Sequence, residues 1–139
     1  MKKTKLIHSE ISYLIARMRH KDSLVVGDAG LPISNQVQQI DLAVSEGVPD
    51  FLTVLEAILS EQKIEKVIMA EEFTQISPDL HQKVIVLLFE MEQREEIELE
   101  VVYVPHEVFK EETQQCMGAV RTGEFTPFAN IILVSGVVF

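Results

Sequence analysis

Tryptophan is absent from this 139-residue chain, and cysteine occurs once, at Cys116, so no internal disulfide can form. No apolar run is long enough to cross a bilayer and no secretory h-region opens the chain, so a cytoplasmic location is expected, with no membrane partner. Positive charge is scarce: 12 Lys and Arg against 22 Asp and Glu leave a formal net charge of -10. That field repels phosphate backbones and anionic lipid, so no nucleic-acid partner is expected and a neutral ligand suits the chain better. Also missing are a Gly-x-Gly-x-x-Gly turn, a Walker-type loop, a His-Glu-x-x-His pair and a Cys-x-x-Cys pair, which removes the usual support for dinucleotide, nucleotide and structural-zinc binding. "VSGVV" has no nucleophile-elbow glycine before its serine, and nothing around Cys116 resembles a catalytic thiol site, so covalent catalysis is not expected.

What is present is an ordinary globular composition, 47% apolar and 24% charged, without internal repeat or low-complexity linker. The length suits one domain over residues 1–139. "SEISYLIARMRH" spaces Ile11, Leu14, Ile15 and Met18 along one helical face, predicting a helix capped by Ser9 and ending near His20. "SLVVGDAGLP" then reads as a buried strand and a sharp loop, and "QQIDLAV" as a further extended piece. "VPDFLTVLEAILSEQ", with Pro49 near its first turn, predicts a second helix, and "EKVIMAEE" a strand over 67–70. A third helix opens at Ser77 and Pro78, and the alternation Ile97, Leu99, Val101, Tyr103 predicts a strand. "HEVFKEETQQCMGAVRTGE" reads as one surface helix stopping near Gly123, and "NIILVSGVVF" as one bent strand or two. Short apolar strands alternating with helices predict an α/β class: a single layered domain with a mostly parallel central sheet flanked by helices.

Ligands of such sheets collect beyond the carboxyl ends of the strands, and Asp28, Glu71, Glu72 and His106 each follow a predicted strand. Each polar residue has two readings. His20 is either a cap for a helix C-terminus or an acid/base group. Asp28 in "DAG" is either a turn residue or a ligand anchor. His106, after Pro105, is either a solvated first-turn residue or a neutral imidazole able to accept from a hydroxyl. Asn130 is a turn residue or a paired donor and acceptor for a sugar hydroxyl. Lys110 shares a helical face with His106 but reads as solvent-exposed, Glu71 and Glu72 as solvated charges, and Asp41 as needing a partner if buried. His8 and His81 carry no pattern that assigns them a role.

Taken in order, "RHKDSLVVGDAGLP", "QIDLAVSEGVP", "AEE", "PHEVFK", "RTGEFTPFANIIL" and the terminal "GVVF" resemble the D-ribose pyranase family over the whole chain. The related fucose mutarotases share the general plan, but "DAGLPI" followed by "QIDLA" is closer to the ribose branch. The resemblance implies an enzyme that interconverts the pyranose and furanose forms of D-ribose without cofactor or metal. It also implies a homodecamer of two stacked pentamers with the sugar site at a subunit interface. The family's catalytic histidine falls on His20, and its sugar-binding residues on Asp28, His106 and the segment Phe128, Ala129, Asn130. That segment departs from the family's usual tyrosine-alanine-asparagine: Phe128 keeps an aromatic face and has no phenolic hydroxyl. Alternatives of other kinds are a fucose-type mutarotase acting on another free sugar, a non-enzymatic sugar-binding accessory of uptake, and a metal enzyme using His20, His106 and Asp28 as ligands.

Overall fold

The computed structural model describes residues 1–139. Its elements are α1 (Ser9–Arg17), β1 (Ser23–Gly27), β2 (Gln38–Asp41), α2 (Phe51–Leu59), β3 (Ile64–Ala70), α3 (Glu71–Ile76), α4 (Pro78–Glu95), β4 (Glu100–Val104), α5 (His106–Thr113), β5 (Gly118–Arg121) and β6 (Ile131–Ser135). The strands form one six-stranded sheet in the order β2-β5-β1-β6-β3-β4. Pairs β2/β5, β1/β5 and β3/β4 are parallel, whereas β6 lies antiparallel between β1 and β3. Five strands therefore point one way, and β6 brings its amino end to the edge where the other five bring their carboxyl ends. The expected α/β layering with a mostly parallel sheet is what forms.

Strand alternation splits the core in two. Leu24, Val26, Val67, Met69, Ile131 and Leu133 face α1, α2 and α4 in the larger cluster, while Val25, Ile68, Ala119 and Ile132 face Phe109 of α5 and Val37 on the other side. A buried strand shows both faces as apolar, which is why "LVV" and "IIL" carry no polar alternation.

Several local expectations change. The first helix is capped by His8, whose Nδ1 accepts from the Ile11 N–H at 3.4 Å, and it ends at Arg17 with Met18 extended. His20 therefore caps no helix. Ser77 precedes α4 but makes no side-chain cap; its hydroxyl donates to the Pro127 carbonyl at 2.7 Å. The stretch read as one surface helix to Gly123 breaks after Thr113 and supplies the strand β5. Four residues, "GAVR", carry no periodicity, and their strand state comes from ladders to β1 and β2 on either side. Glu71 and Glu72 follow the end of β3, as expected, and there open a short helix of their own.

Candidate functional site

The edge shared by the carboxyl ends of β1 to β5 and the amino end of β6 gathers most of the polar residues that the sequence singles out. Asp28 leaves β1, His106 follows β4, and the segment Phe128–Ala129–Asn130 leads into β6. Because Val26 pairs with Ile131, the antiparallel register carries Asn130 beside Gly27.

Asn130, 1% exposed, is bonded to Asp28 through both ends of its amide. Its Oδ1 accepts the Asp28 backbone N–H at 2.8 Å, and its Nδ2 donates to Asp28 Oδ2 at 3.0 Å. The other carboxylate oxygen of Asp28 accepts from the Gly30 N–H at 2.9 Å, the bond of a turn residue. A side chain at Gly27 would bring a Cβ within 3.0 Å of Asn130 Oδ1 and 2.7 Å of Leu31 Cδ2. The bare backbone there is what lets the two loops meet. Ala129 is fully buried in the core, backbone included.

Phe128 turns the chain with a left-handed φ of 64° and sets its ring edge-on to the His106 imidazole, centroids 4.9 Å apart at 87°. His106 also stacks on Phe109 at 6.2 Å, and its backbone N–H donates to Glu72 Oε2 at 2.9 Å. Glu72 thus supplies the cap that Pro105 cannot give α5. His106 Nδ1 is buried and makes no hydrogen bond, an expensive arrangement unless a ligand or water supplies the partner.

A strap from "RTGE" fastens this edge. Thr122 donates its hydroxyl to the Gly27 carbonyl at 2.8 Å. Glu124 accepts from the Phe51 N–H at 3.1 Å and from Thr126 through N–H and hydroxyl, while its own carbonyl accepts from Ala29. Gly123 runs so close to residues 45–48 that a Cβ would lie 2.5 Å from the Val48 carbonyl oxygen. Arg121 donates Nε to the Ala29 carbonyl at 2.9 Å and reaches both oxygens of Asp41, at 3.0 and 3.3 Å. Asp41 is exposed; the Ala43 N–H first, and Arg121 as well, hold its carboxyl below the usual range. Asp28, Gly30, Arg121, Glu124, Phe125 and Pro127 line an open cleft of about 390 Å³ here. Lys110, which shares the His106 face in sequence, pairs instead with Glu107 at 2.8 Å.

His20 lies elsewhere. It sits in the turn before β1, at the amino end of the strand whose carboxyl end releases Asp28. At roughly 3.3 Å per residue, the four steps from Ser23 to Gly27 hold the strand's two ends about 13 Å apart, more than one monosaccharide spans. There His20 borders a second cleft, about 440 Å³, with Met18, Gln62, Ser135 and Phe139. The ligand set His20, His106 and Asp28 thus does not converge within one chain, and no group of three or more His, Cys, Asp or Glu side chains is arranged to hold a metal ion. Burial pushes the Cys116 thiol up to about 11, so it stays protonated and is a poor nucleophile. Glu72, Ser77 and Glu124 act here through partners distant in sequence; the sequence places Glu72 after a strand and in "AEE" and Glu124 in "RTGE", but offers Ser77 only as a helix opening. No helix is long and apolar enough to cross a membrane.

Residues 1–138 match the model of the RbsD / FucU transport protein family. A D-ribose pyranase of Psychromonas ingrahamii and one of Photobacterium profundum are each 50% identical to this chain over 139 residues, all of both proteins. Among solved structures, Bacillus subtilis RbsD complexed with D-ribose is 36% identical with a TM-score of 0.86, each chain covered completely. A fucose mutarotase from Streptococcus pneumoniae in complex with L-fucose, 24% identical and covering 100% of both chains, shares the fold with a TM-score of 0.77. The chain belongs to the RbsD / FucU family.

Proposed function

We propose that this chain is a D-ribose pyranase, an isomerase that interconverts the pyranose and furanose rings of D-ribose by histidine general acid/base catalysis without a cofactor. The observation that carries this reading is identity at half of all positions, over both entire chains, with proteins of that activity. The edge geometry supports it: fixed hydroxyl-binding groups, an aromatic face and no activated nucleophile suit a neutral sugar and proton transfer.

Opening the ring takes a proton from the anomeric hydroxyl and delivers one to the ring oxygen; closure reverses this as a different hydroxyl attacks the aldehyde. In this mechanism His20 moves the protons, Asp28 and His106 hold sugar hydroxyls, and Asn130, in the substrate-binding segment Phe128, Ala129, Asn130, orients the ring beside Phe128. General acid/base catalysis contributes ~10² to 10⁴-fold, enough for a reaction that already proceeds spontaneously.

The separation of His20 from Asp28 within one chain supports a site at a subunit interface, where one copy contributes His20 and its neighbour the Asp28 edge. Exposed apolar side chains stand near both places, Val44, Val48 and Phe125 at the edge and Val138 and Phe139 near His20, as self-association requires. The homodecamer of two stacked pentamers and the cytoplasmic location complete the proposal on the family resemblance.

The test is NMR saturation transfer on D-ribose, with L-fucose as control. Wild-type protein should accelerate ribose ring exchange, and His20→Ala should return it to the spontaneous rate. Ribose binding without acceleration would identify a sugar-binding accessory instead.

A further inference from the structure

We infer that Glu65 is the positioning partner of His20, its carboxylate accepting the imidazole Nε2–H so that Nδ1 is the nitrogen that exchanges protons with the sugar. The inference rests on His20 being the acid/base of the reaction proposed above.

Glu65 Oε2 lies 3.0 Å from His20 Nε2, a contact between residues 45 apart in sequence that only the tertiary fold creates. The two ends of this pair are held differently. Glu65 is the second residue of β3, at a bulge between Ile64, which pairs with Ser135 of β6, and Lys66, which pairs with Val134 of β6 and Glu100 of β4, and its other oxygen is engaged by the ammonium of Lys21. His20 sits in a tight turn whose ends are tied: the Asp22 N–H donates to the Arg19 carbonyl at 3.1 Å, and the Arg19 N–H donates to the Asp22 carboxylate at 2.7 Å. Lys21 takes a left-handed φ of 72° within it, a conformation that a non-glycine residue holds only when the surroundings impose it. The imposing contacts are on β6, where the Lys21 N–H donates to the Ser135 carbonyl at 2.9 Å and the Ser135 N–H donates to the Asp22 carbonyl at 2.8 Å. Just beyond, Gly136 packs on Glu65, where an added Cβ would stand 3.2 Å from the Glu65 Cβ.

His20 Nδ1 makes no hydrogen bond within the chain, and the side chain is 49% exposed against 32% for Glu65. One nitrogen is therefore anchored while the other is left unbonded within the chain, available to a sugar held by the Asp28 edge of a neighbouring copy in the assembly proposed above. Hydrogen bonding from Lys21, and then from His20, holds the Glu65 carboxyl below its usual range, so it is ionised when the ring is neutral. A neutral ring that donates Nε2–H carries its lone pair on Nδ1. Nδ1 takes the proton of the anomeric hydroxyl, the carboxylate balances the imidazolium so formed, and Nδ1 returns a proton to a ring oxygen. The Nε2 proton stays in place throughout.

The experiment joins NMR of ¹⁵N-histidine-labelled intact protein with ribose exchange kinetics. Neutral His20 should be the Nε2–H tautomer in wild type, retained in Glu65→Gln, whose amide oxygen still accepts, and lost to a mixture in Glu65→Leu. Glu65→Leu should lower kcat about 10- to 100-fold with KM little changed, and Glu65→Gln should recover part of that. An Nδ1–H tautomer in wild type, a tautomer indifferent to Glu65→Leu, or an unchanged kcat in Glu65→Leu would overturn the inference. Were wild-type protein to leave ribose exchange unaccelerated, the pyranase reading would fail, and the tautomer measurement would still decide the Glu65–His20 pairing.

Discussion

The amide of Asn130 grips Asp28 twice, accepting its backbone N–H at 2.8 Å and donating to its carboxylate at 3.0 Å. The two residues lie 102 positions apart and meet because β6 runs antiparallel beside β1. Asparagine suits the place because it is donor and acceptor at once, with one N–H and one lone pair still unspent.

Asn130→Ala removes both bonds inside a buried site. At about 0.5–1.5 kcal/mol net for each, the loss of stability should be about 1–3 kcal/mol, read as a lower midpoint in urea denaturation. Ribose affinity measured by calorimetry should fall with it as Asp28 loosens. Asn130→Asp should cost more than alanine, since it sets a second carboxylate against the first; equal stability of the two variants would mean that Asp28 is not held through its charge.

Separating His20 from Asp28 along β1 makes a sharper demand on the assembly. His20→Ala and Asp28→Ala proteins should each be inactive alone, and subunits mixed by mild denaturation and refolding should regain part of the wild-type exchange rate. Sites in the mixture would draw His20 from one variant and Asp28 from the other. No recovery in a mixed oligomer verified by mass spectrometry would place the two residues in separate functions.

At Phe128 the aromatic face is kept and its edge is already committed to His106. Phe128→Tyr should leave stability near wild type and tighten ribose binding by one hydrogen bond, about 2- to 10-fold for 0.5–1.5 kcal/mol. Saturation transfer over a ribose titration separates this gain in affinity from a change in maximal rate.

His81 provides a pH-dependent contribution to stability away from the site. Its Nε2 lies 2.7 Å from the Tyr103 hydroxyl, its ring stands edge-on to Phe73 at 5.4 Å, and burial lowers its pKa from the ordinary 6.5. Below 6.5 the unfolded chain takes up a proton that folded His81 does not, so this contribution is present above 6.5 and is lost as pH falls through the folded value. Urea midpoints above and well below 6.5 should diverge in wild type and diverge less in His81→Gln. An unchanged pH dependence in the variant would assign the effect to other groups.

Much of the layering is legible in single segments. The stripe Ile11, Leu14 announces a helix by its period, and the run Val67 to Ala70 a buried strand by being short, apolar and bounded by charges. β5 is not legible, since "GAVR" is too short to show a period and becomes a strand only between two others. The Ser77 hydroxyl shows the same limit at the scale of one side chain. Locally it has the form of a helix cap, yet it bonds Pro127, 50 residues away.

The sequence by itself determined the chemical inventory and the layers: a neutral-ligand charge balance, strand-end acids and histidines, apolar periods and the ordered motifs of the family. Which of those residues share a site was decided only in three dimensions. Reversing one strand, β6, carries Asn130 to Asp28 and Phe128 to His106, whereas the length of β1 keeps His20 at the opposite end of the same chain. Periodicity is fixed by backbone geometry one turn or one pleat at a time, but proximity depends on strand order and direction, which arise from pairing between segments far apart.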